Sequence, residues 1–343
     1  MPSKRPIDLL AVGESLRDVF YMIDEASISC SINKDRCLLC LEYAEKIPVK
    51  HVVKVHAAGN AGNAAVGASR LGFKSALVSW VGNDAEGEDI EQALKREKVD
   101  TKNLYDGPGQ RTSEATILSY HGERTQLVSF KPRDYVLRPW SPARILYYTA
   151  MGQKYGKVDK AVLAYLKRNP KTAFVFQPGT MHIRHGLAAL KPLIARSGLF
   201  ILNKDEAHLL LADGERTMLN ILETFHHLGA SYVVVTDGQN GADAYDGRDH
   251  WHMPIFPGKA LERTGAGDAF AVGLAAAYLH GLGIGEALRW GTANAWSVVR
   301  QIGPQAGLLK KSEMQKVLKK FNKIKPEIAT LAVGDHAMTN QNP

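Results

Sequence analysis

The feature that most constrains the fold of this chain is a regular alternation of short apolar runs with longer segments of helical spacing. The apolar runs are residues 7–12, 76–81, 145–148, 173–176, 199–202 and 232–235. Helical spacing is found at residues 61–71, 84–98, 157–167, 187–195, 204–211 and 217–228. Strands that are apolar on both faces are typical of a parallel sheet covered by helices. The alternation therefore predicts an α/β fold with a doubly wound, mostly parallel sheet and helices on both faces.

Two segments do not follow this alternation. Residues 20–56 contain strand-like pieces at 37–41 and 49–55 but no helix long enough for a crossover. Residues 112–130 alternate in polarity and turn at His121-Gly122-Glu123, which is typical of a β-hairpin.

These segments predict one small antiparallel β lid, formed by about 17–57 and 110–131, on a single domain of residues 1–330. A lid of this kind would close over an active site or form a partner interface. Residues 331–343 are predicted to be a flexible C-terminal tail.

Composition excludes several classes of protein. Hydrophobic residues make up 45% of the 343 residues and charged residues 23%, close to the globular average, which argues against disorder. No apolar run approaches the ~20 residues of a membrane span. The apolar stretch after the basic N-terminus is broken at Asp8, Gly13 and Glu14, so it is not a signal peptide. We therefore expect a cytoplasmic protein without membrane association.

The formal net charge of +8 raises the question of nucleic-acid binding. The basic residues are scattered, apart from a lysine-rich segment at 310–325 whose helical spacing is typical of a solvated face. We therefore expect no nucleic-acid partner and only a general preference for anionic substrates such as nucleotides.

The cysteines are Cys30, Cys37 and Cys40. Their odd number argues against a disulfide framework, and the Cys37-x-x-Cys40 spacing is half of the usual zinc signature. We expect ordinary reduced cysteines, with a zinc site as the alternative.

The segment most suggestive of chemistry is Thr264-Gly265-Ala266-Gly267-Asp268, which leads into a predicted helix at 269–280. Free amides at a helix N-terminus bind anions, and glycines let a phosphate approach the backbone. An aspartate here would repel a phosphate, so its presence makes sense if it takes a proton from an attacking hydroxyl during phosphoryl transfer. The alternative is an ordinary turn in which Asp268 caps the helix.

Other phosphate-binding loops do not fit this chain. A dinucleotide fingerprint requires a third glycine where Phe270 stands. No Gly-Lys-Ser or Gly-Lys-Thr occurs in the sequence, which excludes a P-loop, and the catalytic loop of protein kinases is missing.

A second glycine-rich segment is Ala58-Gly59-Asn60-Ala61-Gly62-Asn63. Asn60 and Asn63 could cap the helix that begins there, or they could bind the hydroxyls of a ligand that Gly59 allows to approach. The residues alone leave both roles open.

Five segments, in their order along the chain, resemble the ribokinase-like (PfkB) carbohydrate kinase family. Residues 58–82 are similar to its glycine-asparagine signature, and residues 264–275 to its C-terminal signature around the catalytic aspartate. The other three are Gly13-Glu14-Ser15-Leu16-Arg17-Asp18, similar to the first substrate loop, Asn203-Lys204-Asp205-Glu206, similar to the Asn-x-x-Glu motif, and Thr236-Asp237-Gly238-Gln239-Asn240-Gly241, similar to the nucleotide loop. The resemblance extends from residue 7 to about residue 315.

The resemblance implies a ribokinase-like core with a β lid, and transfer of a phosphoryl group from ATP to an alcohol. Asp268 would be the general base, and the amides of Gly265, Ala266 and Gly267 would form the anion hole. The residues expected to hold the acceptor are Asp18, Gly59, Asn60 and Asn63. The residues expected to bind ATP are Asn203, Thr236, Gly238, Gly241, Thr264 and Asn294, with a helical core position as the alternative for Asn294. Glu206 is expected to hold Mg2+ through water.

The chain departs from the family pattern at Glu262-Arg263, where an Asp-Thr pair is usual. In many members that aspartate belongs to a monovalent-cation site, so dependence on K+ is less expected here. Arg263 is instead a candidate for a fixed positive charge near the phosphates. Met151-Gly152-Gln153 stands where some ribokinases have an acidic sugar ligand, which weakens ribose as the substrate.

A sugar or sugar acid is the acceptor that the resemblance favours. Lys131, Arg133 and Arg138 could receive an acidic sugar, and a solvated basic loop is their alternative. A homodimer formed through the β lid is also implied.

Two other functions stay open. An adenosine-type nucleoside kinase is the runner-up, for which Phe20, Tyr21 and Tyr43 would offer aromatic surface. A non-catalytic nucleotide- or sugar-binding relative belongs to another class, and the intact Asp268 and Glu206 argue against it.

Overall fold

The computed structural model describes residues 6–31, 37–107, 109–212 and 216–329. The strands are β1 (Ile7–Val12), β2 (Leu16–Ile23), β3 (Ser27–Cys30), β4 (Cys37–Cys40), β5 (Val49–Ala58), β6 (Ser75–Gly82), β7 (Asp100–Gly107), β8 (Glu114–Tyr120), β9 (Glu123–Ser129), β10 (Ala143–Tyr148), β11 (Ala173–Phe176), β12 (Leu199–Asn203), β13 (Tyr232–Thr236), β14 (Ala242–Tyr245), β15 (His250–Met253) and β16 (Glu327–Ile328).

The α-helices surround these strands. They are α1 (Asn60–Arg70), α2 (Ala85–Arg96), α3 (Gly156–Arg168), α4 (Thr180–His185), α5 (Leu187–Ile194), α6 (Lys204–Leu211), α7 (Met218–His227), α8 (Ala266–Leu279), α9 (Ile284–Val298) and α10 (Lys311–Lys320). The predicted helices are all present, with bounds shifted by a few residues.

Ten strands form the main sheet, in the order β16-β15-β14-β13-β12-β11-β10-β1-β6-β7. Pairing is parallel from β7 to β13 and antiparallel for the last three strands. Alternate residues of β10 supply opposite faces, since Tyr147 packs in one apolar core and Tyr148 in the other. The predicted α/β fold with helices on both faces is confirmed.

The edge strands were not predicted. β7 has the polar sequence DTKNLYDG and buries only Asn103 and Tyr105. A strand with one solvated side lacks the continuous apolar run that marks a central strand. Only the buried interior of the sheet is therefore visible as apolar runs in the sequence.

A second, small sheet has the order β5-β2-β8-β9. Its outer pairs are antiparallel, and β2 and β8 pair in parallel where the two chain segments meet. Leu16, Phe20, Ala115 and Ile117 form its own small core. β8 and β9 are the predicted hairpin, and the two segments predicted for the lid supply the whole sheet. We call these four strands the lid sheet.

The prediction of reduced cysteines was wrong for two of the three. Cys30 and Cys37 form a disulfide between β3 and β4, and Cys40 is free. The two residues face each other in the antiparallel register of a hairpin that the spacing of cysteines does not reveal. The predicted tail at 331–343 lies outside the described residues. Within the described part, no helix is both long and apolar enough to cross a membrane.

Candidate active site

The candidate residues meet at the carboxyl edge of the main sheet. β1, β12 and β13 belong to its parallel part, so the segments that follow them leave the same edge. Asn203 and Thr236 are directly paired in register at the ends of β12 and β13. The N-terminus of α8 brings Asp268 to this edge. Segments far apart in sequence therefore form one cleft.

Asp268 is the centre of the site. It lies in the first turn of α8 and is 7% exposed. Its Oδ1 accepts a hydrogen bond from Asn60 Nδ2 at 2.7 Å, and its Oδ2 accepts one from Asn63 Nδ2 at 2.8 Å. Burial raises the pKa of Asp268 to about 6, although the bonds from Asn63 and Asn60 lower it, as does the charge of Arg124. A buried carboxylate with this pKa can accept a proton near neutral pH.

The two asparagines therefore have a role that neither sequence interpretation contained. Each donates its amide to Asp268, and Asn63 Oδ1 in turn accepts from Gln305 Nε2 at 3.1 Å. This arrangement fixes the rotamer of the aspartate and favours its ionised form. The pattern Asn-x-x-Asn at a helix start was the available signal, because residues three apart lie on one helix face.

Small residues make the approach of α1 to the site possible. A Cβ on Gly62 would lie 2.3 Å from the carbonyl oxygen of Ala57 and 2.9 Å from Ser15 Oγ. Gly59, the residue before α1, has φ of 81°, which favours glycine. The alanines and glycines of this segment are thus needed to bring Asn60 and Asn63 to Asp268.

The glycine loop before Asp268 is held against the loop at Pro304. Gly265 has φ of 78°, and a Cβ there would lie 2.4 Å from Pro304 Cβ. The amide of Ala266 donates to the carbonyl of Arg263 at 3.3 Å. The first amides of a helix have no intrahelical acceptor, and they carry the positive end of the helix dipole. The loop is therefore suited to bind an anion next to Asp268.

Glu262 and Thr264 support this loop from within. Glu262 is fully buried, and its Oε1 accepts from the amide of Thr264 at 2.7 Å and from Thr264 Oγ1 at 2.6 Å. Thr264 is itself buried, so its hydroxyl is committed to Glu262 in this conformation. The pair thus acts as an internal brace of the loop.

The suggestion that Arg263 charges the phosphate site does not hold. Arg263 Nη1 lies 2.9 Å from Glu123 Oε1, at the turn of the lid hairpin. The side chain is bound on the lid side of the loop because Glu123 offers it a carboxylate there. Gly122 lies beside the carbonyl of Leu261, so the hairpin turn contacts the segment that leads into the loop.

Asp18 lies on β2 of the lid sheet and is 6% exposed. Burial raises its pKa to about 8, and the charges of Asp268 and Glu262 add to the rise, while Arg124 opposes it. Carboxylates gathered at this density in the free protein destabilise one another.

The Asn203–Glu206 segment forms a capping box at the start of α6. Asn203 Oδ1 accepts from the amide of Glu206 at 2.8 Å, and Glu206 Oε2 accepts from the amide of Asn203 at 2.9 Å. Burial raises the pKa of Glu206 to about 7, and the charge of Asp268 contributes to the rise. Glu206 is thus a carboxylate whose protonation is influenced by the charge of Asp268.

The loop after β13 turns beside this segment. Gly238 has φ of 53° and open space where a side chain would stand, whereas a Cβ on Gly241 would lie 2.2 Å from the carbonyl of Met253. Asp237 is bound by Lys204 at 3.0 Å. Gly238 is therefore exposed with open space beside it, Thr236 is half-buried at the end of β13, and Gly241 is required by packing of the loop.

Asn294 is not part of the cleft. It is completely buried on α9, where its Nδ2 donates to the carbonyl of Ala269 at 2.7 Å and its Oδ1 accepts from the amide of Leu309 at 3.0 Å. Both ends of the amide bind backbone, which is the helical core position that the sequence left as the alternative.

The basic residues predicted for an acidic sugar are engaged elsewhere. Arg133 is buried and donates to the carbonyl of Arg111 at 2.6 Å, while Arg138 lies over the Tyr105 ring. Lys131 Nζ donates to Ser129 Oγ at 2.9 Å. The cation whose charge reaches both Asp18 and Asp268 is Arg124 on β9. Sequence reasoning missed it, and its position just after the hairpin turn was the available signal.

The model of the pfkB family carbohydrate kinases matches residues 20–311. The chain belongs to the pfkB family of carbohydrate kinases. The resemblance found in the sequence is confirmed, and the protein is a carbohydrate kinase of ribokinase-like fold.

The names of similar proteins refer to different phosphate acceptors. A 5-dehydro-2-deoxygluconokinase of Lacticaseibacillus casei is 25% identical over 322 residues, covering 88% of this chain and 92% of that protein. A nucleoside kinase of Methanocaldococcus jannaschii is 27% identical over 255 residues, covering 73% and 81%. The Arabidopsis thaliana ribokinase structure with ribose and ATP has a TM-score of 0.74 at 20% identity, covering 92% of this chain and 99% of that one.

Proposed function

We propose that this pfkB family kinase transfers the γ-phosphoryl group of ATP to a hydroxyl of a sugar or sugar acid. The observation that carries the proposal is the buried Asp268 carboxylate, held by two asparagine amides beside a glycine loop at a helix N-terminus. An ordinary helix cap needs neither the second asparagine nor the burial. A carboxylate arranged in this way fits a general base for an alcohol.

In the proposed reaction, Asp268 accepts the proton of the acceptor hydroxyl as that oxygen attacks the γ-phosphorus. The bond from the γ-phosphorus to the β–γ bridging oxygen breaks, and ADP leaves with that oxygen. The amides of Gly265, Ala266 and Gly267 face the equatorial oxygens, where negative charge accumulates in the transition state. The Ala266 amide must exchange its weak bond to Arg263 for the phosphate.

The remaining site residues are assigned to binding of the acceptor and of ATP. Asp18 and the backbone at Gly59 hold hydroxyls of the acceptor, while Asn60 and Asn63 act on it through Asp268. Asn203, Thr236, Gly238, Gly241 and Thr264 form the ATP side, the last two by shaping the loops. Asn294 is left out of this assignment because both of its polar ends are bound in the core.

The described residues hold no group of three or more His, Cys, Asp or Glu side chains that could bind a metal ion, so a divalent cation here would be bound by one or two carboxylates together with phosphate and water oxygens, as is usual for Mg2+. Asp268 and Glu206 are carboxylates with raised pKa values at one edge of the sheet, so a positive charge between them would relieve their repulsion. Bound Mg2+ would neutralise and orient the phosphates. Glu206 is the residue that would hold it, through water, since one of its oxygens already caps α6. Dependence on K+ is less expected, and a titration of activity with potassium would test this.

The lid sheet is proposed to close over the acceptor and to form a homodimer. Asp18 reaches the site from β2, which supports the first role. Val52 and Leu127 of this sheet are 46% and 57% exposed, which supports the second. Light scattering tests the homodimer, because it measures whether the mass in solution is that of one chain or of two.

A nucleoside acceptor is the second candidate, supported by the name of the Methanocaldococcus jannaschii relative. Two of the aromatic residues suggested for a nucleoside acceptor are poorly placed to bind a base. Phe20 is completely buried below the lid sheet, and Tyr43 is 96% exposed. We therefore favour the sugar class.

The test is an ADP-release screen across sugars, sugar acids and nucleosides, run with the wild type and with Asp268→Asn. We expect turnover with a sugar or sugar acid, and a loss of about 10²–10⁴-fold in the variant with folding and ATP binding retained. A variant that keeps a tenth of wild-type turnover would refute the base assignment. Turnover with nucleosides alone would replace the acceptor class.

A further inference from the structure

The Gln177 side chain lies beside Gly267 of the glycine loop, on the side of β11. It follows β11 directly, and its backbone amide donates to the carbonyl of Tyr148 at 3.0 Å. Its Nε2 lies 3.6 Å from the point where a Cβ on Gly267 would stand. Pro178 comes next and restricts the backbone of Gln177 to an extended conformation. An amide donor is thus held against the residue whose backbone lines the proposed anion hole.

The direction of this amide is set by Tyr147. The Tyr147 hydroxyl donates a hydrogen bond to Gln177 Oε1. Because that oxygen is occupied, the two N–H groups of Nε2 are the atoms left to point toward the loop. Tyr147 is completely buried on β10, so its ring has no freedom to release the carboxamide.

The Tyr147 ring also lies within the field of the catalytic carboxylate. Burial raises the pKa of the Tyr147 phenol well above its ordinary value, and the charge of Asp268 raises it further. The phenol therefore stays protonated and remains a donor to Gln177 across the working pH range. No role in the proposed reaction has yet been given to Tyr147 or to Gln177.

We propose that Gln177 is a further catalytic residue, whose Nε2 donates a hydrogen bond to an equatorial oxygen of the phosphoryl group in transit, and that Tyr147 is the residue that positions it. This inference rests on the proposed function of Asp268 and the glycine loop. The backbone amides bind the phosphoryl group from the α8 side, and Gln177 binds it from the β11 side. Donors on two sides would hold the transferring group in line between the acceptor oxygen and ADP.

Because the charge on these oxygens grows in the transition state, the contact should act on kcat more than on binding. Removal of one such donor typically lowers kcat by about 10²–10³-fold. Gln177→Ala and the nearly isosteric Gln177→Glu are both expected to show this loss, with KM for ATP and for the acceptor changed less than about threefold. Gln177→Glu loses the donor and adds a repelling charge, so its loss should be the larger.

Tyr147→Phe separates orientation from chemistry. The ring stays, but the carboxamide becomes free to rotate, so kcat should fall about fivefold, the equivalent of one neutral hydrogen bond. Tyr148→Phe is the matched control. Its hydroxyl is also buried on β10 and donates to Asp159 Oδ1 at 2.6 Å, but it lies in the other apolar core. This control should lower the thermal midpoint and leave kcat unchanged.

All variants are assayed by ADP release with an acceptor that the wild type phosphorylates, beside thermal unfolding and the Asp268→Asn variant. If the wild type transfers phosphate and Asp268→Asn does not, the proposed function stands. Gln177 variants that are folded and within threefold of wild-type kcat would then overturn this inference alone. A rise in KM with kcat preserved would also overturn it, since that places Gln177 in ground-state binding. Equal losses in Tyr147→Phe and Tyr148→Phe would refute the positioning role.

Discussion

The site around Asp268, where α1 meets the start of α8, and the lid sheet are built in opposite ways. At this site, Asp268 is buried and bonded to Asn60 and Asn63 on a helix that is distant in sequence. In the lid sheet, β9 is exposed along its whole length. The lid sheet contacts the segment before the glycine loop through an ion pair between partly exposed side chains, Glu123 and Arg263.

Under the proposed function, this difference fits different tasks for the two regions. A base must be held in one rotamer with one pKa, which packing and buried hydrogen bonds can provide. A lid must open and close, and a solvated ion pair contributes only ~0–1 kcal/mol to the closed form. Asp18 joins the two regions, because it belongs to the lid sheet yet senses the charge of Asp268.

The largest effect is expected from Gly265→Ala, in the glycine loop beside Asp268. The new Cβ would lie 2.4 Å from Pro304 Cβ, at a residue with φ of 78°, so the loop must move. We expect turnover to fall by about 10²-fold or more, as when an anion-hole donor is lost. The matched control is Gly281→Ala at the other end of α8. It has φ of 72° but open space, so it should cost ~1 kcal/mol of stability and no turnover.

Asp18→Asn tests the residue that joins the two regions. The Asp18 carboxyl has a pKa of about 8 in the folded protein against an ordinary value of 3.8, so folding takes up a proton between these pH values. Its presence therefore lowers stability increasingly as pH rises from about 4 to 8. The variant should gain more in thermal midpoint at pH 8 than at pH 5, while acceptor KM rises roughly 10- to 100-fold.

A suitable control for this variant is Asp24→Asn. Asp24 is exposed and paired with Lys50, away from the site. It should show no pH-dependent gain. An Asp18→Asn protein with the same gain at both pH values would contradict the account of Asp18.

The smallest effect is expected at the lid contact. Reversing either charge, Glu123→Arg or Arg263→Glu, should raise acceptor KM about two- to threefold, because an exposed pair is worth at most ~1 kcal/mol. The double reversal should restore KM, and added salt should reduce the difference. An effect of a hundredfold, or no rescue, would show that the lid is held by other contacts.

The sequence was most informative where burial leaves a pattern. The run 7–12 coincides with β1, because a strand covered on both faces must be apolar throughout. The position of Asp268 beside a glycine loop at the start of a helix was also predicted, since phosphate chemistry needs a recognisable combination of glycine and carboxylate. The bonds from Asn60 and Asn63 to Asp268 were not, because they depend on how α1 packs on α8, and helix packing has no local signature.

Other features were missed for related reasons. The Cys30–Cys37 disulfide depends on the register of a hairpin, and the direction of Arg263 depends on where the lid turn comes to rest. Gln177 has no motif around it, and its significance comes only from its distance to Gly267. Contacts between segments far apart in the chain set each of these features.

Burial and two asparagine amides set the pKa of Asp268, the proposed base. The most direct test is the pH dependence of kcat/KM for the wild type and for Asn63→Ala, with Asn60→Ala as a second variant. The wild type should lose activity on the acid side with an apparent pKa of about 6, and the variants should lose it at higher pH, because the bonds that favour the ionised carboxylate are gone. An acid limb that stays in place in both folded variants would contradict the claim.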